Sequence, residues 1–459
     1  MAARSSRFRL RRWLPIVLLL CLLPAVVSWT RMALLPSSLP LGVRTVEWLR
    51  LHHFNWLVDD AEHVYYSWQA PKKGGPQLKA LPAVGLAGRD RLRSRAGHAK
   101  PWPAPITPVF AHPLRGEGVW KPTGPAIDGK APVLVTTFRT ERDYPRIVAY
   151  VAWFDHTRTA VAYYPGRYEP PHASLRGPEE IPHDQRWRLL ATFNSGFIYQ
   201  DGLNGDALNG HVNEPLRRGL ATLVAYRNGR VDVVDWTGGP TPGPAIAWAR
   251  QSLPLIIDRG RLSPKLDDSS AWGFTLGNAV RVWRTGVGVD RRGNLVYAAA
   301  DYQTVTTLAR ILQRAGAVRA MELDINPEWP TLITYRHHGD LIPTRVVPNF
   351  QQPATRYLVP DDRDFFAVYR RLRGAVDVPL GGRPALGAQA DVDVHPRDGG
   401  SSPRSRRPTS AAPARPRGPS PTRSRSLWRP LRSGERPPKC EGVLDRGCHQ
   451  PVSTPHFSL

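Results

Sequence analysis

VWRTGVGVDRRGNLVYAAADYQTVTTLARILQRAGAVRAMEL, residues 282–323, carries the signals of a hairpin, a helix and a strand in succession. Val282 to Val289 and Leu295 to Ala299 are β-rich runs around the turn residues Arg291-Arg292-Gly293, which predicts a hairpin. A helix follows: Thr304 is its N-cap, Val305, Leu308, Ile311, Leu312 and Ala315 recur at helical spacing, and Gly316 is its stop. Val318 to Leu323 then reads as a strand. Working outward, Asn228-Gly229 between Leu220–Tyr226 and Val231–Trp236 predicts a second hairpin, and Asp155-His156-Thr157 between Ile147–Trp153 and Thr159–Tyr164 a third. Hairpins that precede a helix and a strand predict an α+β fold with a largely antiparallel sheet and flanking helices, in one domain over residues 131–375.

The flanks read differently. Arg4, Arg7, Arg9, Arg11 and Arg12 precede an uncharged apolar run from Trp13 to Trp29, so residues 1–30 are expected to be a signal anchor or a signal peptide. At about 1.5 Å per residue the run reaches roughly 25 Å, a little short of a ~30 Å hydrocarbon core. No clear small-x-small cleavage site follows, which favours a retained anchor with the Arg-rich end cytoplasmic and the domain extracytoplasmic; secretion is the alternative. Residues 31–130 are read as a juxtamembrane segment, whose Val46, Trp48, Leu49, Phe54 and Trp56 suit a membrane surface or a helix packed on the domain, followed by a Pro/Gly-rich linker. Trp102, Phe110 and Trp120 are its candidates for docking. Residues 380–459, rich in Arg, Pro and Ser, have too little apolar surface to offset ordering entropy and are expected to be a disordered tail.

The formal charge of +25 would ordinarily point to nucleic acid. Much of the excess sits in the N-terminal flank and beyond residue 380, only eight of the 63 basic residues are Lys, and no nucleic-acid motif accompanies them, so no nucleic-acid partner is expected. Cys21, Cys440 and Cys448 all lie outside the domain, which therefore relies on no disulfide and holds no cysteine-type zinc site.

Ala320-Met321-Glu322-Leu323-Asp324-Ile325-Asn326-Pro327-Glu328 carries the chemistry, because acidic residues interrupt an apolar strand where Pro327 must end it. On a strand Glu322 and Asp324 share a face, with Cβ atoms roughly 6.5 to 7 Å apart. Carboxylates about 5 to 9 Å apart are what hydrolysis at an acetal carbon uses; a salt bridge to a nearby Arg reads the same spacing as structure. Thr192-Phe193-Asn194-Ser195-Gly196-Phe197 places an amide and a hydroxyl at a Gly turn, His211 follows a Gly-rich loop, and Arg284-Thr285-Gly286-Val287-Gly288 sets an Arg before small residues that permit close approach.

The order of these blocks, with Leu253 to Gly260 between them, resembles the phosphodiester glycosidase family over about residues 130 to 350. The family's Asn-Gly-Gly-Phe block falls on Asn194 to Phe197 with Ser195 replacing a Gly; its Arg-Thr-x-x-Gly block falls on Arg284, Thr285 and Gly288; its Leu-Asp-Gly-Gly-Gly-Ser block begins at Leu323 and Asp324. There Ile325, Asn326 and Pro327 replace the glycines, so a backbone anion nest is not available in that form. The resemblance implies a catalytic-type domain and a hydrolase of the cell envelope that acts on a glycosyl phosphodiester or related glycoside. The catalytic candidates are Asp324, Glu322 and Arg284, and the substrate-binding candidates are Asn194, Ser195, His211, Thr285 and Asn326. Partners expected are a carbohydrate or sugar-phosphate substrate and the membrane through residues 13–29. No cofactor and no metal site is expected, although Asp258, Asp290, Asp324 and Glu328 offer oxygen ligands to a divalent cation. The rival readings are a non-catalytic module binding wall glycan or an anionic wall polymer, which the lost glycines favour, and a membrane-tethered assembly protein.

Overall fold

A computed structural model describes residues 22–86 and 103–372, apart from residues 38, 55, 59, 61–63, 65–67, 69, 203, 268–271, 273–280 and 349–351. The tail expected over 380–459 and Trp102 lie outside the described residues. So does most of the apolar run: of residues 13–29 only 22–29 are described, inside a helix over 22–34. Among the described residues no helix is long and apolar enough to cross a membrane.

The expected antiparallel architecture is present, as three sheets. The largest has eight strands in the order Lys121–Pro122, Val133–Arg139, Val148–Phe154, Leu295–Gln303, Val282–Asp290, Ala317–Glu322, Leu255–Asp258 and Arg261–Leu262. A second runs His211–Glu214, Asp206–Leu208, Ile246–Gln251, Ala221–Tyr226, Val231–Asp235, and a third Asp340–Arg345, Leu332–His338, Leu189–Asn194, Phe365–Arg370, Thr159–Tyr164. The hairpin at Asn228-Gly229 forms, with Gly229 at φ 81° as its tight turn requires. The hairpin of Val282–Asp290 with Leu295–Gln303 also forms.

Helix Val305–Arg314 has the predicted cap: the Thr304 hydroxyl accepts from the Thr307 N–H while Thr307 returns a bond to the Thr304 N–H. Gly316 takes the left-handed stop at φ 101°. Leu308, Ala309, Ile311 and Leu312 bury against the eight-stranded sheet, and Gly286 gives the helix room there, since a Cβ would meet Leu312 Cδ1 at 2.9 Å and the Met321 carbonyl oxygen at 3.0 Å.

The third expected hairpin does not form. Val148–Phe154 pairs with Val133–Arg139 and Leu295–Gln303, whereas Thr159–Tyr164 pairs with Phe365–Arg370, so the turn at Asp155 carries the chain from one sheet to another. Every residue of Val148–Phe154 is buried, and such a strand gains most in the middle of a sheet. Asp155 still makes a turn, accepting from the Thr157 N–H and hydroxyl and from Arg158, but turn chemistry does not say which sheet comes next. Parts of the segment from 71 to 131 do not stand off the domain: Val84 lies in the core between the sheets, and Ile106, with Trp120 against it, in the core under the helix.

Candidate functional site

Strand Ala317–Glu322 stays in register with Val282–Asp290 to its end, and the Leu323 N–H still donates to the Thr285 carbonyl. One residue later the chain changes sheets, because the Asp324 N–H donates to the carbonyl of Ser195, just past the end of Leu189–Asn194. Asp324 therefore sits where the eight-stranded sheet meets the third one. Thr285 and Asn194 brace it. The Thr285 hydroxyl donates to the Asp324 carbonyl at 2.7 Å, Asn194 Nδ2 donates to that hydroxyl at 3.0 Å and to the Ser195 carbonyl at 2.9 Å, and Asn194 Oδ1 accepts from Tyr297 and the Thr331 N–H. Both side chains are buried and occupied within the protein, so they fix backbone rather than offer free groups to a ligand.

The two carboxylates of the motif part company. Glu322 is fully buried and pairs with Arg284 at 2.5 Å, while Arg284 Nε is committed to the Gln303 carbonyl. Burial pushes the Glu322 carboxyl up to about 7 against the pull of Arg284. Asp324 instead accepts from Arg363 at 2.5 Å and, through its other oxygen, from the Asn326 N–H at 2.9 Å. Burial pushes it up to about 6, with Arg363 and that N–H opposing. Ser195 joins the cluster through its carbonyl, and its hydroxyl is buried without a partner. His211 is exposed at the start of the edge strand His211–Glu214, and no hydrogen bond or ion pair among the described residues joins it to Asp324. The oxygen ligands named for a cation do not gather: Asp290 is occupied by Asn294 and Trp153, and among the described residues no group of three His, Cys, Asp or Glu side chains is placed to hold a metal.

Arg363 leads from Asp324 into a cavity of about 580 Å3 lined on the domain side by Glu169, Gln200, Trp329 and Arg363. Trp329 forms a wall, with the guanidinium groups of Arg363 at 4.6 Å and Arg356 at 5.1 Å from its ring centre. Glu169 accepts from the Tyr199 N–H, and burial pushes it up to about 8 although Arg250 lies 3.5 Å away. Arg250 is itself held by Asp364 at 2.7 Å.

The N-terminal segment roofs this cavity. Helix Leu41–Leu51 and the helix over 22–34 are tied by Trp48 Nε1 to Ser28 and Trp29 Nε1 to Thr45. Leu39 and Val43 pack on Trp329, Ser37 donates to Asp362, and Glu47 stands 3.7 Å from Arg363.

Sequence reasoning identified Asp324 and its braces but missed Arg363, Glu169, Arg250 and Asp364. Only Arg363 and Asp364 carry a local signal, the charged run Asp361-Asp362-Arg363-Asp364 directly before the buried strand Phe365–Arg370, where solvated charges are not expected.

The model of the phosphodiester glycosidase family matches residues 190–324, from the second residue of strand Leu189–Asn194 to Asp324 itself, so the resemblance read from the sequence holds over the stretch that supplies Asn194, Arg284, Thr285, Glu322 and Asp324. No curated protein matches the chain. Among solved structures, the catalytic domain of zebrafish N-acetylglucosamine-1-phosphodiester alpha-N-acetylglucosaminidase, auto-inhibited by its pro-peptide, aligns at 14% identity over 52% of this chain and 82% of its own, with a TM-score of 0.34. A hypothetical protein from Synechocystis aligns at 15% identity over 55% of this chain and 64% of its own, with a TM-score of 0.32.

Proposed function

We propose that the chain is an extracytoplasmic glycosidase that cleaves a glycosyl phosphodiester of the cell envelope, with Asp324 as its nucleophile or base. The observation that carries this reading is the Asp324 carboxylate, the last residue of the family match, held between the Asn326 N–H and Arg363, which itself lines an aromatic-walled cavity. The basic flank and apolar run of residues 4–29 support the outward address.

Asp324, or a water it deprotonates, attacks the anomeric carbon, and the bond from that carbon to the phosphate oxygen breaks with its electron pair passing to the phosphate. Arg363 offsets charge on the departing phosphate, as a guanidinium fork matches phosphate oxygens in pairs. Glu169, which keeps its proton near neutral pH, donates to the leaving group. Trp329 stacks on the sugar, and Asn326, two residues from Asp324, takes a hydroxyl. Arg284 and Glu322, sealed together, hold the strand end, and Asn194 and Thr285 are positioning residues for Asp324. The roof must lift from Arg363 before a phosphodiester can enter, and the Glu47 contact is the charge that phosphate would replace.

The test is to incubate the full-length protein, and a Val43→Asp variant that unseats the roof from Trp329, with a panel of sugar-1-phosphodiesters and to measure free reducing sugar. Release is expected to be faster with the opened roof and to fall about 10²- to 10⁴-fold in Asp324→Asn, the range associated with a positioned acid or base. No release by either protein across the panel would overturn the glycosidase reading.

A further inference from the structure

A second cavity, of about 920 Å3, shares no lining residue with the first. It opens where strands Val148–Phe154, Val282–Asp290 and Leu295–Gln303 meet the segment from Pro71 to Pro82. Its volume lies at the upper end of the ~300–1,000 Å3 typical of small-molecule sites.

Its lining is a set of aromatic rings whose polar heads are unspent. Tyr150, whose ring is buried, and the half-buried Trp283 both line the cavity, and neither the Tyr150 hydroxyl nor the Trp283 indole N–H is sealed away from it as an unpartnered buried atom. Asp301 accepts at one carboxylate oxygen only, from the Tyr302 N–H at 2.7 Å. Tyr302 makes that bond from a left-handed backbone at φ 54°, a conformation that costs an aromatic residue energy and persists only where the surroundings enforce it. Arg281 enforces it here: it donates to the Tyr302 carbonyl at 3.0 Å, pairs with Glu141 and stacks on Tyr144 at 4.0 Å. A concave pocket of this size with aromatic walls and a few convergent polar groups is the usual form of a small-molecule site, and these groups can bond a ligand in place of water.

That ligand must present flat apolar faces to rings and hydroxyl groups to an indole N–H, a phenol and a carboxylate. Lys72, Lys73 and Arg146 also line the cavity but are exposed, whereas Asp301 is the half-buried charge, so an anion bound against the rings would meet Asp301, and a metal ion would find a single carboxylate. We propose that this cavity binds a neutral pyranose chain, with a ring stacked on Trp283, a vicinal diol donating to Asp301, and Tyr150 bonded to a further hydroxyl. Burial raises the Asp301 carboxyl to about 7, and hydroxyl donors stabilise its charged form. The assignment is independent of the chemistry at Asp324.

The experiment is calorimetric titration of the full-length protein with cellohexaose and with chitohexaose. At least one is expected to bind, about ten-fold more weakly to Asp301→Asn and to Tyr150→Phe, as the loss of a well-placed hydrogen bond implies, and unchanged to Asp324→Asn. Near-ultraviolet circular dichroism checks the fold, and Trp283→Phe, with the same expected loss, replaces either variant if it does not fold. The assignment is overturned if neither saccharide binds, if binding survives the two cavity substitutions, or if Asp324→Asn abolishes it.

Discussion

Glu322 and Asp324 stand two residues apart in one motif, and each pairs with an arginine at 2.5 Å, yet they are different kinds of site. The Glu322–Arg284 pair is enclosed by the sheet and by the carbonyl of Gln303, and Glu322 Oε2 is buried with no partner. The Asp324–Arg363 pair borders a cavity whose far wall is a separate stretch of chain. Identical chemistry at the same spacing thus becomes scaffold or candidate machinery according to what lies beyond the arginine. A perturbed carboxyl marks both equally, so the titration shift alone does not separate them.

Arg284→Ala is expected to have the greatest effect. It leaves a buried carboxylate unpaired and is expected to cost about 3–5 kcal/mol in urea unfolding, whereas replacing the pair together, Arg284→Met with Glu322→Leu, recovers most of that loss. If the single substitution costs no more than a surface change, Glu322 is not the sealed scaffold described here.

The next effect is on pH dependence. Glu169 at about 8, Glu322 at about 7 and Asp324 at about 6 all lie above ordinary carboxyl values, so the folded protein holds more protons than the unfolded chain across that range. Stability is then greatest on the acid side and declines as pH rises from about 4 through 8. Melting temperature measured from pH 5 to 9 should fall, and Glu169→Gln should flatten the alkaline part of the decline while leaving the part due to Glu322. A profile that rises with pH would contradict these assignments.

The smallest effect expected concerns the brace. Thr285→Val removes two buried hydrogen bonds, the one its hydroxyl donates to the Asp324 carbonyl and the one it accepts from Asn194, and should cost about 1–3 kcal/mol in unfolding, while His211→Ala, on an exposed edge, should stay within about 0.5 kcal/mol. Equal losses at the two positions would remove the distinction between brace and edge.

What the sequence made legible was local. The Thr304 cap, the Gly316 stop and the turns at Asn228-Gly229 and Arg291-Arg292-Gly293 each express a backbone requirement within a few residues, and all appear in the fold. Asp155-His156-Thr157 shows where that legibility ends, because a turn between sheets uses the same residues as a turn within one. The site divides in the same way. Asp324, Asn194 and Thr285 were found in recognisable blocks, although Asn194 and Thr285 hold backbone rather than ligand. Arg363 and Glu169 arrive from distant strands and loops, and no periodicity reports which charge will face which. Ile325, Asn326 and Pro327 stand where the family's glycines were expected, and the charge-assisted donor beside Asp324 is Arg363, from a distant part of the chain.

Strand Leu189–Asn194 begins the stretch that matches the family, but both of its neighbours, Leu332–His338 and Phe365–Arg370, lie beyond that stretch. The recognisable segment is therefore not severable: excised alone it would present two bare edges and lack Arg363. During synthesis the centre of the third sheet is closed by its last strand, so the site has no precursor form until the chain has emerged past residue 370. Such non-local closure makes for slow folding and a long exposure of unpaired edges. It also makes the far end of the domain, rather than its motif, the place where a truncation does most harm.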